Sequence, residues 1–329
     1  MTGKGCWAMG TTAEKGRVGV MLRRDVAATD FIPFARLAEK LGFDDVWVVE
    51  DLGFWGGVAQ AAAIASATER IRVGLGILPV AARNVAYAAM ELSTLAELFP
   101  GRVTVGIGHG LPEWIQQVNA WPRSPLTLFD EYTAALGKLL RGEAVTTEGC
   151  YVSLDNVALE HPPTVLPPLL GGVRGPKSME VVAKNLSGAI LAEPAATQYV
   201  GATRGMLGGQ AHLVAFEFAN VDDDLEAAYE EVRTLLAGVG DPALAAHINP
   251  LPFAEELREL RASHSSTASF ADAMPAEWLD ALSLIGSASK VRAHIDDLID
   301  AGADTVVMIP TTAERPLESL HALSSALQR

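Results

Sequence analysis

Residues 71–110, IRVGLGILPVAARNVAYAAMELSTLAELFPGRVTVGIGHG, constrain the fold more than any other stretch, because they spell out strand, helix and strand in one unit. Ile71–Leu78 is an apolar, β-branched run with Gly74 and Gly76 interleaved. Arg102–Ile107 is a second such run, leading into Gly108, His109 and Gly110. Between them Ala88, Leu92, Leu95, Ala96 and Phe99 recur at three- and four-residue spacing, which predicts a helix over Asn84–Phe99 with one face on a sheet. Two strands joined by a crossover helix run parallel, so the unit already selects a parallel sheet covered by helices.

The same alternation continues along the chain. Strands are expected at Arg17–Leu22, Asp45–Glu50, Leu166–Gly171, Gly188–Ala192, His212–Phe218 and Thr305–Ile309, besides the two above. Helices are expected after Asp30 (with Pro33 in the first turn and Gly42 closing it) and at Pro125–Arg141, Lys177–Asn185, Ala195–Leu207, Asp222–Leu236 and Ser289–Ala301. Eight strand-helix units predict an α/β fold of the (β/α)8 TIM-barrel type with insertions. The expected organisation is a flexible segment at residues 1–16 and a single barrel domain at 17–329. Val145–Leu159 reads as a two-stranded excursion turning at Glu148-Gly149. A helical insert at 241–284 is divided by Pro242, Pro250, Pro252 and Pro275.

A formal net charge of −15 argues against a nucleic-acid partner, since no stripe of Lys and Arg offsets the acidic background. Cys6 and Cys150 lie far apart without metal-ligand spacing, the pattern of a reduced cytoplasmic enzyme. No apolar run reaches the length of a signal or membrane-spanning segment. His161, His212, His247 and His264 have no spacing that makes a metal site, and none is assigned.

In a parallel barrel the chemistry sits where the strands end at their carboxyl side. Those ends read Arg23-Arg24-Asp25, Glu50-Asp51, Gly76-Ile77-Leu78-Pro79, Gly108-His109-Gly110, Gly171-Gly172-Val173-Arg174-Gly175, Glu193, Glu217-Phe218 and Pro310-Thr311-Thr312. Glu50 and Asp51 follow a run of apolar residues, so at least one carboxylate points into the mouth as a candidate general acid; the alternative is a structural pair with Arg23 or Arg24. His109, with Glu113 one helical step beyond, is a second candidate for proton transfer, against a loop histidine that only bonds backbone. A helix beginning near Pro176 or Lys177 would present free N–H groups behind Gly172 and Gly175, flanked by Arg174 and Lys177, which makes an anion site; the alternative is a plain strand-helix turn. Arg83 and Asn84 lie where an arginine could reach a ring carbonyl or phosphate, or simply face solvent. Trp47, Phe54, Trp55, Trp114 and Trp121 supply aromatics for a pocket wall, with core packing the default for Trp47.

Four segments, VWVVED with its Gly-rich helix entry, VGLGILPVAARNVAYAAMELSTLAELFPGRVTVGIGHG, GGVRGPKSMEVV and GSASKVRAHIDDLIDAGADTVVMIP, resemble the bacterial-luciferase-like oxidoreductases in this order and spacing. The resemblance is to the branch that uses the deazaflavin coenzyme F420 and spans nearly the whole chain. It implies that Gly172, Arg174, Gly175, Pro176, Lys177 and Ser178 contact the cofactor phosphate. It also implies a bulge with a cis Gly76-Ile77 peptide against the back of the tricyclic ring. Members often carry an acidic residue followed by His where this chain has Glu50-Asp51, so the proton role falls to Glu50, Asp51 or His109. The implied activity is hydride transfer between deazaflavin C5 and a small organic substrate, first of all reduction of an activated C=C or C=N bond. Two alternatives stay open: an FMN-dependent monooxygenase of the same superfamily, and a non-catalytic flavin-binding barrel. Relatives commonly dimerise, and the Ala-rich helix 58–67 suits either a homodimer interface or barrel packing.

Overall fold

The computed structural model describes residues 16–327. The expectation for the amino-terminal segment therefore lies, Gly16 excepted, outside the described residues. Among those residues eight parallel strands close a barrel: β1 Arg17–Met21, β2 Asp45–Val48, β3 Arg72–Pro79, β4 Val103–Gly108, β5 Leu169–Gly172, β6 Gly188–Leu191, β7 His212–Val221 and β8 Thr305–Pro310. Each pairs with the next in sequence, and β8 returns to β1 through Arg17 opposite Thr305. The helices between strands cover the outside, and the main apolar core lies between barrel and helices.

Inside the barrel, Trp47, Leu170, Ile190, Val214, Phe216, Val307 and Ile309 form a plug. Trp47 is fully buried and meets Phe216 edge-on at 5.3 Å between ring centroids. It lies so close across β3 that a Cβ on Gly74 would stand 2.2 Å from its indole ring, which is why this strand carries glycine there. The amino-terminal end of the barrel is closed by polar groups. Arg17 donates to Thr305 Oγ1 at 2.9 Å and lies 3.0 Å from His212 Nε2, and Asp45 is buried 3.6 Å from the same guanidinium.

The departures from expectation are local. Asp30 precedes the helix Phe31–Leu41 but makes no side-chain cap, because the chain enters through a 3-10 turn at Ala28–Asp30. The excursion is a hairpin of Val145–Glu148 with Ser153–Val157; its turn is held by Glu131, which accepts from the N–H groups of Cys150, Tyr151 and Val152 at 2.8–3.0 Å. The insert consists of short helices whose apolar residues, including Ile248, Leu257, Phe270 and Leu279, pack in one cluster with Val232 and Leu236 of the preceding helix Leu225–Leu236. It ends in an unexpected short strand, Leu284–Gly286, paired with the overhang of β7 beyond the barrel. Among the described residues no helix is long and apolar enough to cross a membrane.

Candidate active site

At the carboxyl mouth, β3 carries a one-residue bulge: Leu75 pairs with Val105 and Leu78 with Ile107, so three steps on β3 oppose two on β4. The Gly76-Ile77 peptide within it is cis, where the resemblance placed it. Both residues are partly open to the mouth. Ile77 is seated by glycines on its neighbours: a Cβ on Gly106 or Gly172 would stand 2.8 or 2.4 Å from Ile77 Cγ2, and one on Gly108 3.1 Å from Ile77 Cδ1. The glycine-rich ends of β4 and β5 thus have a steric origin, which is to let the bulge project.

The helix Pro176–Asn185 starts at this rim. Its first turn has no side-chain cap, and Gly175 precedes it at φ +83° with no atom within 4 Å of where a Cβ would sit. Unbonded N–H groups, the positive end of the dipole and open space in front make an anion cradle. Arg174 and Lys177 are exposed beside it. Lys177 also lines a groove of about 530 Å³ on the barrel flank with Asp130, Glu131, Glu180 and Lys184, whereas Arg174 is fixed from the other side. Its Nε donates to His247 Nε2 at 2.8 Å, and His247 Nδ1 lies 2.9 Å from the Pro194 carbonyl. A guanidinium only donates, so Nε2 must accept and Nδ1 must carry the hydrogen that reaches Pro194. Burial agrees, pushing the His247 imidazole down to about 4, and keeps the ring neutral.

The acids singled out in the sequence are placed as follows. Glu50 is bound bidentately by Arg83 at 2.7 and 3.1 Å and also accepts from the Gly57 N–H at 3.0 Å. Its arginine partner is therefore Arg83, not Arg23 or Arg24, and the two candidate site residues are spent largely on each other. Arg24 pairs with Asp51 at 2.7 Å and stacks over Phe54 and near Trp114. Arg23 instead binds Asp25 and the Pro310 carbonyl. His109 stands with Nε2 3.4 Å from Ser178 Oγ, tying β4 to the first turn of the cradle helix; its ring leans on Phe129. Its Nδ1 is buried without a partner, and desolvation lowers its pKa. Glu113 is exposed on the short helix Pro112–Gln117. Trp47 belongs to the barrel plug, while Phe54 and Trp55 are exposed at the rim. No group of His, Cys, Asp and Glu suited to a metal occurs among the described residues.

Two acids escaped the selection although the strand ends contain them. Glu193 follows β6, partly open to solvent, and precedes a cis proline, Pro194. Glu217 is fully buried in β7 with both carboxyl oxygens unpartnered. The available signal was a lone glutamate in the apolar run HLVAFEFANV.

Known proteins share this architecture. The structure superposes on the coenzyme F420-dependent tetrahydromethanopterin reductase of Methanopyrus kandleri with a TM-score of 0.75, at 18% identity, covering 94% of this chain and 98% of that one. It superposes on an F420-dependent secondary alcohol dehydrogenase holding an F420-acetone adduct with a TM-score of 0.74, at 19% identity, covering 95% and 99%. In sequence, the chain is 25% identical over 288 residues to a 5,10-methylenetetrahydromethanopterin reductase of Methanolobus tindarius, covering 83% of this chain and 88% of the relative. It is 33% identical over 172 residues to an F420-dependent glucose-6-phosphate dehydrogenase of Beutenbergia cavernae, covering 48% and 51%. With the barrel, the bulged third strand and a match to the family from residue 10 to residue 305, the chain belongs to the luciferase-like monooxygenase family.

Proposed function

We propose that the protein is an F420-dependent oxidoreductase acting on a small organic substrate, and that it reduces an activated C=C or C=N bond. The observation that carries this reading is the uncapped start of the helix at Pro176, opening behind Gly175 on the same rim as the Gly76-Ile77 bulge. A phosphate-bearing ring cofactor needs both an anion cradle and an open platform, and these residues fit it. The F420 dependence of sequence relatives such as the glucose-6-phosphate dehydrogenase supports the deazaflavin over FMN.

When bound, the deazaflavin would supply the carbon that donates or accepts the hydride. The chain's own residues do the rest. Gly172, Gly175 and Ser178 would hold the phosphate through backbone N–H and hydroxyl donors, Pro176 would lie against it as the first residue of the helix, and Arg174 and Lys177 would add charge. Gly76 and Ile77 would back the ring, and the barrel plug beneath them excludes water. His109 is kept neutral by burial, so its free Nδ1 can accept or donate a proton as its tautomer dictates. Glu50 and Asp51, each held by an arginine, fix Arg83 and Arg24 at the rim.

The test is a fluorescence titration of the protein with F420 and, in parallel, with FMN, repeated on the double variant Arg174→Glu, Lys177→Glu. F420 is expected to bind in preference to FMN, and the charge reversal to weaken it at least tenfold. Preference for FMN would replace the reading by that of a monooxygenase, and indifference to the charge reversal would remove the phosphate assignment.

A further inference from the structure

Glu217 is used by nothing described so far. Along β7, Val214 and Phe216 face the barrel interior, so Leu213, Ala215 and Glu217 face the other side, beneath the covering layer. There the carboxyl is wholly removed from solvent, and neither oxygen has a hydrogen-bond partner. Among the described residues no cation acts on it. The charge it feels is that of Glu193, and the one polar group acting in the opposite sense is the Ala195 backbone N–H. The register explains the pairing. Ala189 lies beside Leu213, Ile190 beside Val214 and Leu191 beside Ala215, and Glu193, two residues past the end of β6, comes close enough to Glu217 on β7 for its charge to act on it. Like charges in that relation repel, and an uncompensated carboxylate in an apolar layer is strongly disfavoured, so the pair as a unit holds on to a proton.

Glu193 differs from its partner in being reachable. As a residue it keeps partial exposure at the mouth; burial raises the pKa of its carboxyl first of all, and Arg174, Asp51 and Arg24 also act on its charge. It also differs from Glu50 and Asp51, which are hydrogen-bonded to Arg83 and Arg24, since no arginine hydrogen-bonds Glu193. We infer that Glu193 and Glu217 work as one acid: Glu217 keeps a proton beneath the end of β6, and Glu193 is the open carboxyl through which that proton enters and leaves the barrel mouth. The transfer moves only a proton. One proton passes from Glu217 to Glu193 and from Glu193 to a basic oxygen, nitrogen or carbanionic carbon at the mouth, and solvent returns a proton through Glu193 to Glu217. The usefulness of such a pair rests on the hydride-transfer reading, because the anion left when a carbon accepts a hydride needs a proton at this rim.

The test is infrared spectroscopy of the full chain at neutral pH, in water and after rapid mixing into D2O, with F420 titrated into the same wild-type preparation. A protonated-carboxyl C=O band is expected in wild type and absent from Glu217→Gln. Its deuterium shift is expected to be several-fold slower in Glu193→Gln, since the open route is then blocked. Asp45→Asn, at the opposite end of the barrel, should leave the band in place. Should Glu217→Gln fold poorly, 13C-glutamate labelling of the wild type assigns the band to a glutamate. Absence of the band, its survival in Glu217→Gln, or unchanged exchange in Glu193→Gln would overturn the inference. Failure of F420 to bind would instead overturn the cofactor reading and leave the band result standing.

Discussion

The buried carboxyl of Glu217 makes a prediction about stability that needs no substrate. Burial, reinforced by Glu193, raises its pKa well above the ordinary value of 4.5. The unfolded chain therefore releases this proton near pH 4.5 while the folded chain keeps it, so the fold binds more protons and stability falls as pH rises. The loss starts at 4.5 and continues up to the raised folded value, at about 1.36 kcal/mol per pH unit. With an unfolding entropy of about 2.1 cal/mol/K per residue over 329 residues, each unit lowers Tm by about 2 °C. Glu217→Gln keeps the shape and one donor of the neutral acid but cannot ionise. Thermal unfolding followed by circular dichroism between about pH 7 and pH 8 should show a shallower alkaline decline in the variant than in wild type, by up to about 2 °C per unit while the pH stays below the raised folded value. Four buried or half-buried histidines, His109, His212, His247 and His294, act in the opposite sense at lower pH. Burial pushes His212 and His247 down to about 4, so both lose stability as pH falls from 6.5 towards 4, which is why the comparison is made above that window. Parallel curves for variant and wild type would refute the claim that Glu217 is protonated in the fold.

Three further perturbations follow from the rim. His247→Leu removes the acceptor that holds Arg174, so F420 affinity should fall with Arg174 present and change little in an Arg174→Leu background; the coupling in a double-mutant cycle is expected at about 0.5–3 kcal/mol, and additive effects would sink the link. Gly172→Ala would drive a Cβ to 2.4 Å from Ile77 Cγ2, costing about 1–3 kcal/mol of stability by denaturant titration and displacing the bulge. Gly175→Ala meets no atom but must hold φ +83°, a strain of about 1–2 kcal/mol; wild-type stability in either alanine variant would show that its constraint does not operate. Arg83→Met leaves Glu50 with only the Gly57 N–H, and a loss of about 1–3 kcal/mol is expected; an unchanged midpoint of unfolding would mean that solvent replaces the arginine.

The barrel was legible because its strands are buried on both sides and read as apolar runs of fixed spacing, with Trp47 and Phe216 marking the interior. The bulge was legible only through the family resemblance, because Gly74 and Gly76 by themselves suit an ordinary crowded strand equally well, whereas the open helix entry could be read from Gly172, Gly175 and Pro176. Partnerships across the mouth were not. Glu50 and Arg83 are 33 residues apart and His247 and Arg174 are 73 apart, and nothing local to either residue names its partner. The strand Leu284–Gly286 is too short to show a period, and it exists only because β7 overhangs the barrel to receive it. Glu217 was visible as an acid within an apolar strand, but a strand pattern alone does not say that the partner beside it is another acid.

The contact of His247 with Arg174 also bears on how such barrels can be recombined. The insert has proline-marked joints like an exchangeable cassette, although it shares its apolar cluster with Val232 and Leu236 of the preceding barrel helix. Yet it reaches back to the rim through one imidazole that supports a residue of the anion cradle. Grafting a relative's insert onto this scaffold would therefore transplant more than a lid: unless the donor segment brings a neutral acceptor to the same place, the recipient keeps its cradle but loses the brace behind Arg174, and any altered specificity would be confounded by a weakened cofactor.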